Sequence, residues 1–179
     1  MTEIEQLLTR VAAQARNIRP WGWPSLSAPV DVATLDRAET ALGFSLPPLL
    51  AALYLRIGDG GFGPSYGLLP LLDSPPAGEP PVVAQYLANR EEARKDPEWL
   101  WPEGILPISH WDCRTPQGAV LLFEPNAEDA DQAWYTDTPG LAEWLHTWLD
   151  GTGWYEETND DAALKPWPEL RIRTASAQA

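Results

Sequence analysis

Leu42-Gly43-Phe44-Ser45-Leu46-Pro47-Pro48-Leu49-Leu50-Ala51-Ala52-Leu53-Tyr54-Leu55-Arg56-Ile57-Gly58-Asp59-Gly60-Gly61 is the stretch on which the fold turns. Gly43 is a helix stop, able to take the left-handed conformation that ends a preceding helix. Ser45 is a candidate cap for a new helix, and Pro47 and Pro48 fit its first turn, where a missing N–H is harmless. Leu49, Leu50, Leu53, Tyr54 and Ile57 recur at helical spacing and supply a buried face, and Gly58 is read as the end of that helix. One helix stops, a second starts and stops, and a glycine turn follows.

Upstream the pattern stays helical. Glu3 to Ala15 puts Ile4, Leu7, Leu8, Val11 and Ala15 on one stripe, and Val30 to Leu42 carries Leu35, Ala38 and Leu42 on another. Between them lies a loop containing Trp21-Gly22-Trp23-Pro24. Downstream the period changes. Tyr66 to Leu72 reads as a short strand broken by Pro70, and a Pro/Gly loop leads to a helix over Val82 to Lys95. Leu106 to Trp111 and Ala119 to Phe123 read as strands, with turn chemistry from Arg114 to Gly118 between them, and Ala133 to Thr136 as a weaker third. The last helix is expected over Thr138 to Asp150, with Thr138 as cap, Pro139 at the first helical position, and Leu141, Trp144, Leu145, Trp148 and Leu149 on one apolar stripe. The sum is α+β: N-terminal helices, a small mostly antiparallel sheet and a C-terminal amphipathic helix in one domain. Its expected divisions are a helix and loop over 1–29, a core over 30–151 and an extension over 152–179 whose final residues fray.

Composition narrows the function. The 179-residue chain carries 12 Lys and Arg against 26 Asp and Glu, a net charge of −14. Eighteen of those acids lie after residue 90, and from Glu124 to Asp161 there are eleven acids and no Lys or Arg. Such a surface repels nucleic acid, whose binding needs cations to displace counterions, and repels anionic lipid. It favours a basic partner. The single cysteine, Cys113, excludes an internal disulfide and a multi-cysteine zinc site. The first residues, Met-Thr-Glu-Ile-Glu, have neither the basic start nor the apolar run of a signal peptide, and no apolar run is long enough to span a bilayer. The expectation is a cytoplasmic protein, a monomer or weak dimer, with no cofactor and no metal.

Three motifs hint at chemistry, and each has a plainer explanation. Gly58-Asp59-Gly60-Gly61-Phe62-Gly63 matches the dinucleotide fingerprint letter by letter, but a helix precedes it and an extended segment follows, the reverse of what that fingerprint needs. It reads as a turn. His110 and Cys113 are three apart, but side chains on an extended segment alternate between faces, so they make a poor base and nucleophile; Cys113 reads as a small, partly buried residue. The acids around Asn126 to Asp131 and at Asp150 lack calcium-loop spacing and read as a solvated face. Trp154 and Tyr155 beside Glu156, Glu157, Asp160 and Asp161 fit either an interface anchor rimmed by charge or packing of the tail on the domain.

The order of these fragments resembles the SUKH superfamily, which includes yeast cell-wall assembly regulators and many bacterial immunity proteins. The likeness rests on Leu46-Pro47, the leucine-rich helix and Asp59-Gly60-Gly61; on Trp101-Pro102-Glu103-Gly104-Ile105-Leu106-Pro107-Ile108 running through Cys113 to Val120-Leu121-Leu122-Phe123; and on the helix over 139–149. Asp112 follows Trp111 where members often carry a Gly-Asp or Gly-Cys step. The resemblance implies a protein-binding role without catalysis: an immunity protein that occludes a cognate toxin, with a basic nuclease as the leading partner, or alternatively a regulatory adaptor of cell-wall or stress pathways. The residues expected to meet the partner are Asp59, Glu128, Asp129, Asp131, Asp137, Trp154, Tyr155, Glu156, Glu157, Asp160 and Asp161.

Overall fold

A computed structural model describes residues 1–20, 22–73, 80–96, 99, 101–110, 112–123, 134–153 and 165–166. Helix α1 (Glu3–Asn17) begins at Thr2, whose hydroxyl accepts the Glu5 N–H, with Glu3 and Glu5 in the first turn, where the helix dipole favours acids. It buries Leu7, Leu8, Val11 and Ala15, whereas Ile4, read on the same stripe, stays exposed in the first turn. Helix α2 (Val32–Leu42) is capped by Asp31, which accepts the Thr34 N–H at 2.7 Å, and ends at Gly43 with φ +82°.

Helix α3 (Pro48–Arg56) follows Pro47 and buries Leu50, Leu53 and Tyr54. Ser45 does not cap it. Ser45 is exposed, no side chain caps the helix, and the connection is held instead by Glu39, which accepts the Leu46 N–H at 2.7 Å. Helix α4 (Val82–Lys95) turns Val82, Val83 and Tyr86 inward, and α5 (Leu141–Asp150) buries Leu141, Trp144, Leu145 and Trp148 before ending at Gly151, φ +66°. The start of α5 falls after the sequence expectation. Thr138 remains in a strand, its hydroxyl donates to the Gly140 carbonyl, and Gly140 takes the capping position.

The sheet is a five-stranded antiparallel meander in the order β1-β2-β3-β4-β5: Leu106–Pro107, Asp112–Arg114, Val120–Phe123, Trp134–Thr138 and Lys165–Pro166. Strand β2 was not expected from the sequence. The reading of 106–111 as one strand fails because the Ile108 and Ser109 N–H groups both donate to the Asp112 carbonyl, reversing the chain there. Tyr66 to Leu72 forms no strand either. Gly67 turns the chain at Pro64, Pro70 has no N–H, and a single bond from Leu69 N–H to the Ile108 carbonyl ties the segment to the sheet.

Register decides what each face shows. Leu106, Arg114 and Val120 lie opposite one another, so they share the face packed by the helices; Cys113 and Leu121 point the other way. The main core joins all five helices to Leu106, Ile108 and Val120. A second cluster of Trp101, Ile105, Cys113 and Leu121 covers the opposite face, with Phe123 edge-on to both Trp99 and Trp101.

Candidate protein-binding surface

The glycine turn after α3 is the best-defined candidate feature. Helix α3 ends at Arg56, earlier than the sequence reading, which placed the stop at Gly58. Gly58 keeps a negative φ, and its role is close approach: a Cβ there would stand 2.7 Å from the Ser27 carbonyl oxygen. Gly60 and Gly61 take the left-handed conformation, φ +81° and +78°, and a Cβ on Gly61 would meet the Trp23 ring at 2.7 Å. No helix starts at the end of this run, so the fingerprint-like segment forms a packed turn and no phosphate cradle.

Asp59 sits in this turn, half-buried. Its Oδ1 accepts the Leu71 N–H at 2.8 Å, and its own N–H donates to the Ala28 carbonyl. Burial pushes its carboxyl above the ordinary value, the Leu71 bond works against that, and Asp73 adds a smaller push upward. Nearby, the buried Tyr54 hydroxyl donates to the Leu69 carbonyl at 2.8 Å, and burial raises it far above the usual phenol value. Asp59 therefore braces the loop that carries Leu68, Leu69 and Leu71 into the core.

Asp137 lies in β4 at a break in register. Val120 pairs with Thr138 and Leu121 with Thr136, so the ladder passes Asp137 over as the extra residue of a bulge. The other residues expected at the interface, Glu128, Asp129, Asp131, Trp154, Tyr155, Glu156, Glu157, Asp160 and Asp161, lie outside the described residues, as does Trp111. In the sequence, residues 124–133 lie between β3 and β4, whose ends pair at Phe123 and Trp134, and residues 151–164 lie between α5 and β5.

His110 and Cys113 lie in different surroundings, because the chain reverses between Ser109 and Asp112 and, of the two, Cys113 alone lies in a strand. His110 is exposed and its ring tilts against Tyr66, centroids 5.2 Å apart. Cys113 is fully buried, deeper than the sequence implied, and burial with the adjacent Asp112 charge pushes its thiol well up, so it holds no reactive thiolate. Among the described residues no three His, Cys, Asp or Glu side chains gather closely enough to hold a metal ion. Among them, too, no helix is long and apolar enough to cross a membrane.

Two charged residues of β2 escaped the sequence reading. Asp112 is completely buried and accepts the Trp144 indole N–H at 3.3 Å, and Arg114 is partly buried beside it on the same face. The alternation Asp-Cys-Arg was the available signal: two charges on one face of a strand are conspicuous once the strand itself is recognised.

Pro-led helix, braced glycine turn, antiparallel meander and closing helix together define a small α+β domain of recognisable type. The chain matches the SMI1 / KNR4 family (SUKH-1) over residues 29–160 and belongs to that family. No curated protein matches it.

Proposed function

We propose that this chain is a cytoplasmic immunity protein that binds a cognate toxin domain one-to-one and blocks it, its acidic second half meeting a basic surface. The observation that carries the reading is the run from Glu124 to Asp161, with eleven acids and no Lys or Arg, nearly all of it within the residues that match the SMI1 / KNR4 family (SUKH-1). A toxin that cuts nucleic acid must hold phosphate with cations, and a carboxylate-rich face competes for those cations. The proposed contacts are Glu128, Asp129, Asp131, Asp137 and the segment Trp154 to Asp161, with Trp154 and Tyr155 as apolar anchors and Asp59 at the edge. Long-range attraction of this kind speeds encounter more than it deepens final affinity.

The test is co-expression with the toxin-like domain encoded next to this gene, followed by stopped-flow association of the two purified proteins. Rescue of growth is expected, with an association rate that falls at least about tenfold between low and physiological salt. Failure to rescue rejects the immunity role. A salt-independent rate rejects the electrostatic mechanism while leaving the block intact. The alternative reading, an adaptor of cell-wall or stress pathways, predicts no rescue and cell-wall sensitivity on deletion of the gene.

A further inference from the structure

The connection between α2 and α3 faces the approach to β1 and the end of β2 across a groove of about 390 Å³. Phe44, Leu46, Pro47, Leu106 and Pro116 give it apolar walls, and Arg114 gives it a charge. The volume falls within the usual range for a site that takes a small molecule or one or two side chains.

Its walls are fixed in advance. Glu39 holds Leu46 through the backbone, and Phe44 stands edge-on to Tyr86 with centroids 5.6 Å apart. The Tyr86 hydroxyl accepts the Gly104 N–H at 3.0 Å, which ties the opposite wall to the same helix. Gly104 itself has φ +79°, and a Cβ there would strike the Pro116 ring at 2.7 Å, so the two sides of that wall sit as close as glycine permits. A groove held this way loses little freedom on binding.

Arg114 is positioned without a salt-bridge partner among the described residues. Its Nη1 donates to the Thr115 carbonyl at 2.9 Å, while its Nε is buried with no acceptor. Among the described residues it forms no ion pair; those present are Arg10–Asp150, Arg56–Glu5, Arg94–Glu91 and Lys95–Glu91. Burial works against its charge and a guanidinium does not give up its proton, so an anion seated beside it is favoured. In a chain with 26 acids, a cation left unmatched between apolar walls runs against the whole charge balance.

We infer that this groove docks a segment of a partner protein that presents a carboxylate beside an apolar side chain. The carboxylate takes the Nη2 hydrogens of Arg114, and the apolar group lies between Phe44, Pro47 and Pro116. This surface is distinct in charge from the acidic run, and the inference stands whether or not the toxin-blocking reading does.

Heteronuclear NMR of the full chain at fixed ionic strength tests it, with N-acetyl-leucine as probe and N-acetyl-leucinamide as the uncharged control. N-acetyl-leucine should shift the Arg114 Nε–H and the Ser45 and Gly104 amides saturably, with a dissociation constant of about 1–5 mM for so small a ligand. The amide should bind at least about tenfold more weakly. Arg114→Gln should abolish the shifts. So should Ser45→Trp, which fills the groove from an exposed rim position and leaves the core untouched if the Arg114 variant fails to fold. Equal binding of the amide, shifts retained in either folded variant, or no saturation by about 20 mM overturns the inference. Concentration-dependent shifts of the same amides without any probe would give the groove to a second copy of this chain, and would overturn the partner assignment too.

Discussion

Replacing Asp59 separates a structural carboxylate from a binding one. Its Oδ1 is the acceptor for the Leu71 N–H at 2.8 Å, and Leu71 is completely buried. Asp59→Ala leaves that N–H without a partner where water has little access, which costs about 2 kcal/mol. For a chain of this size that lowers Tm by about 4–8 °C. Asp59→Asn keeps a carbonyl oxygen in place and should stay within about 1 kcal/mol of wild type at neutral pH. The sign of the pH dependence follows from the raised carboxyl. A group that holds its proton more tightly folded than unfolded loses stability as pH rises through that raised value. An asparagine side chain carries no such penalty, so the stability of Asp59→Asn relative to wild type should improve as pH rises from the acid range towards neutrality. Urea melts of the three proteins across that range measure all of this. An alanine variant as stable as wild type, or an asparagine variant as damaged as alanine, refutes the bracing role. With the cognate partner in hand, an asparagine variant that folds normally but associates more slowly would show a second, electrostatic role for the same side chain.

Gly61→Ala should cost about 2–3 kcal/mol by denaturant melt, because it forces a side chain into φ +78° and against the Trp23 ring; a loss below about 1 kcal/mol would show that the turn yields. Trp144→Phe removes the indole donor to buried Asp112 and leaves space in the core, and should lower stability by about 2–4 kcal/mol, read as a fall in the urea midpoint; an unmoved midpoint refutes the packing described. Cys113 should react with a thiol reagent about a thousandfold more slowly than free cysteine in the native protein and at the free rate in denaturant. Fast native labelling would place the thiol at the surface.

Two helix ends were legible because glycine writes them locally: Gly43 stops α2 and Gly151 stops α5, whereas α2 starts at Val32 behind the Asp31 cap and not at Val30. Where local signals misled, a tertiary partner had taken the residue. Thr138 looks like a helix cap, but β3 holds it in the ladder opposite Val120, and the helix must wait for Gly140. Asp-Cys-Arg at 112–114 carries no hydrophobic alternation, since both charges share one face, Asp112 against the Trp144 indole and Arg114 at the wall of a groove. The brace from Asp59 to Leu71 spans twelve residues and leaves no mark in a short window of sequence. The acidic run was plain in the composition, but which of its carboxylates share a face is a property of folding that counting charges does not supply.

Helix α1 rests on α5, and Arg10 reaches Asp150 and His146 across that contact. Of the five helices among the described residues, the first to leave the ribosome thus meets the last to be made. Until then Leu7, Leu8, Val11 and Ala15 lack the part of their cover that α5 supplies, a natural handle for chaperones that shield nascent chains. A chain that stops before α5 would therefore leave part of the buried face of α1 open.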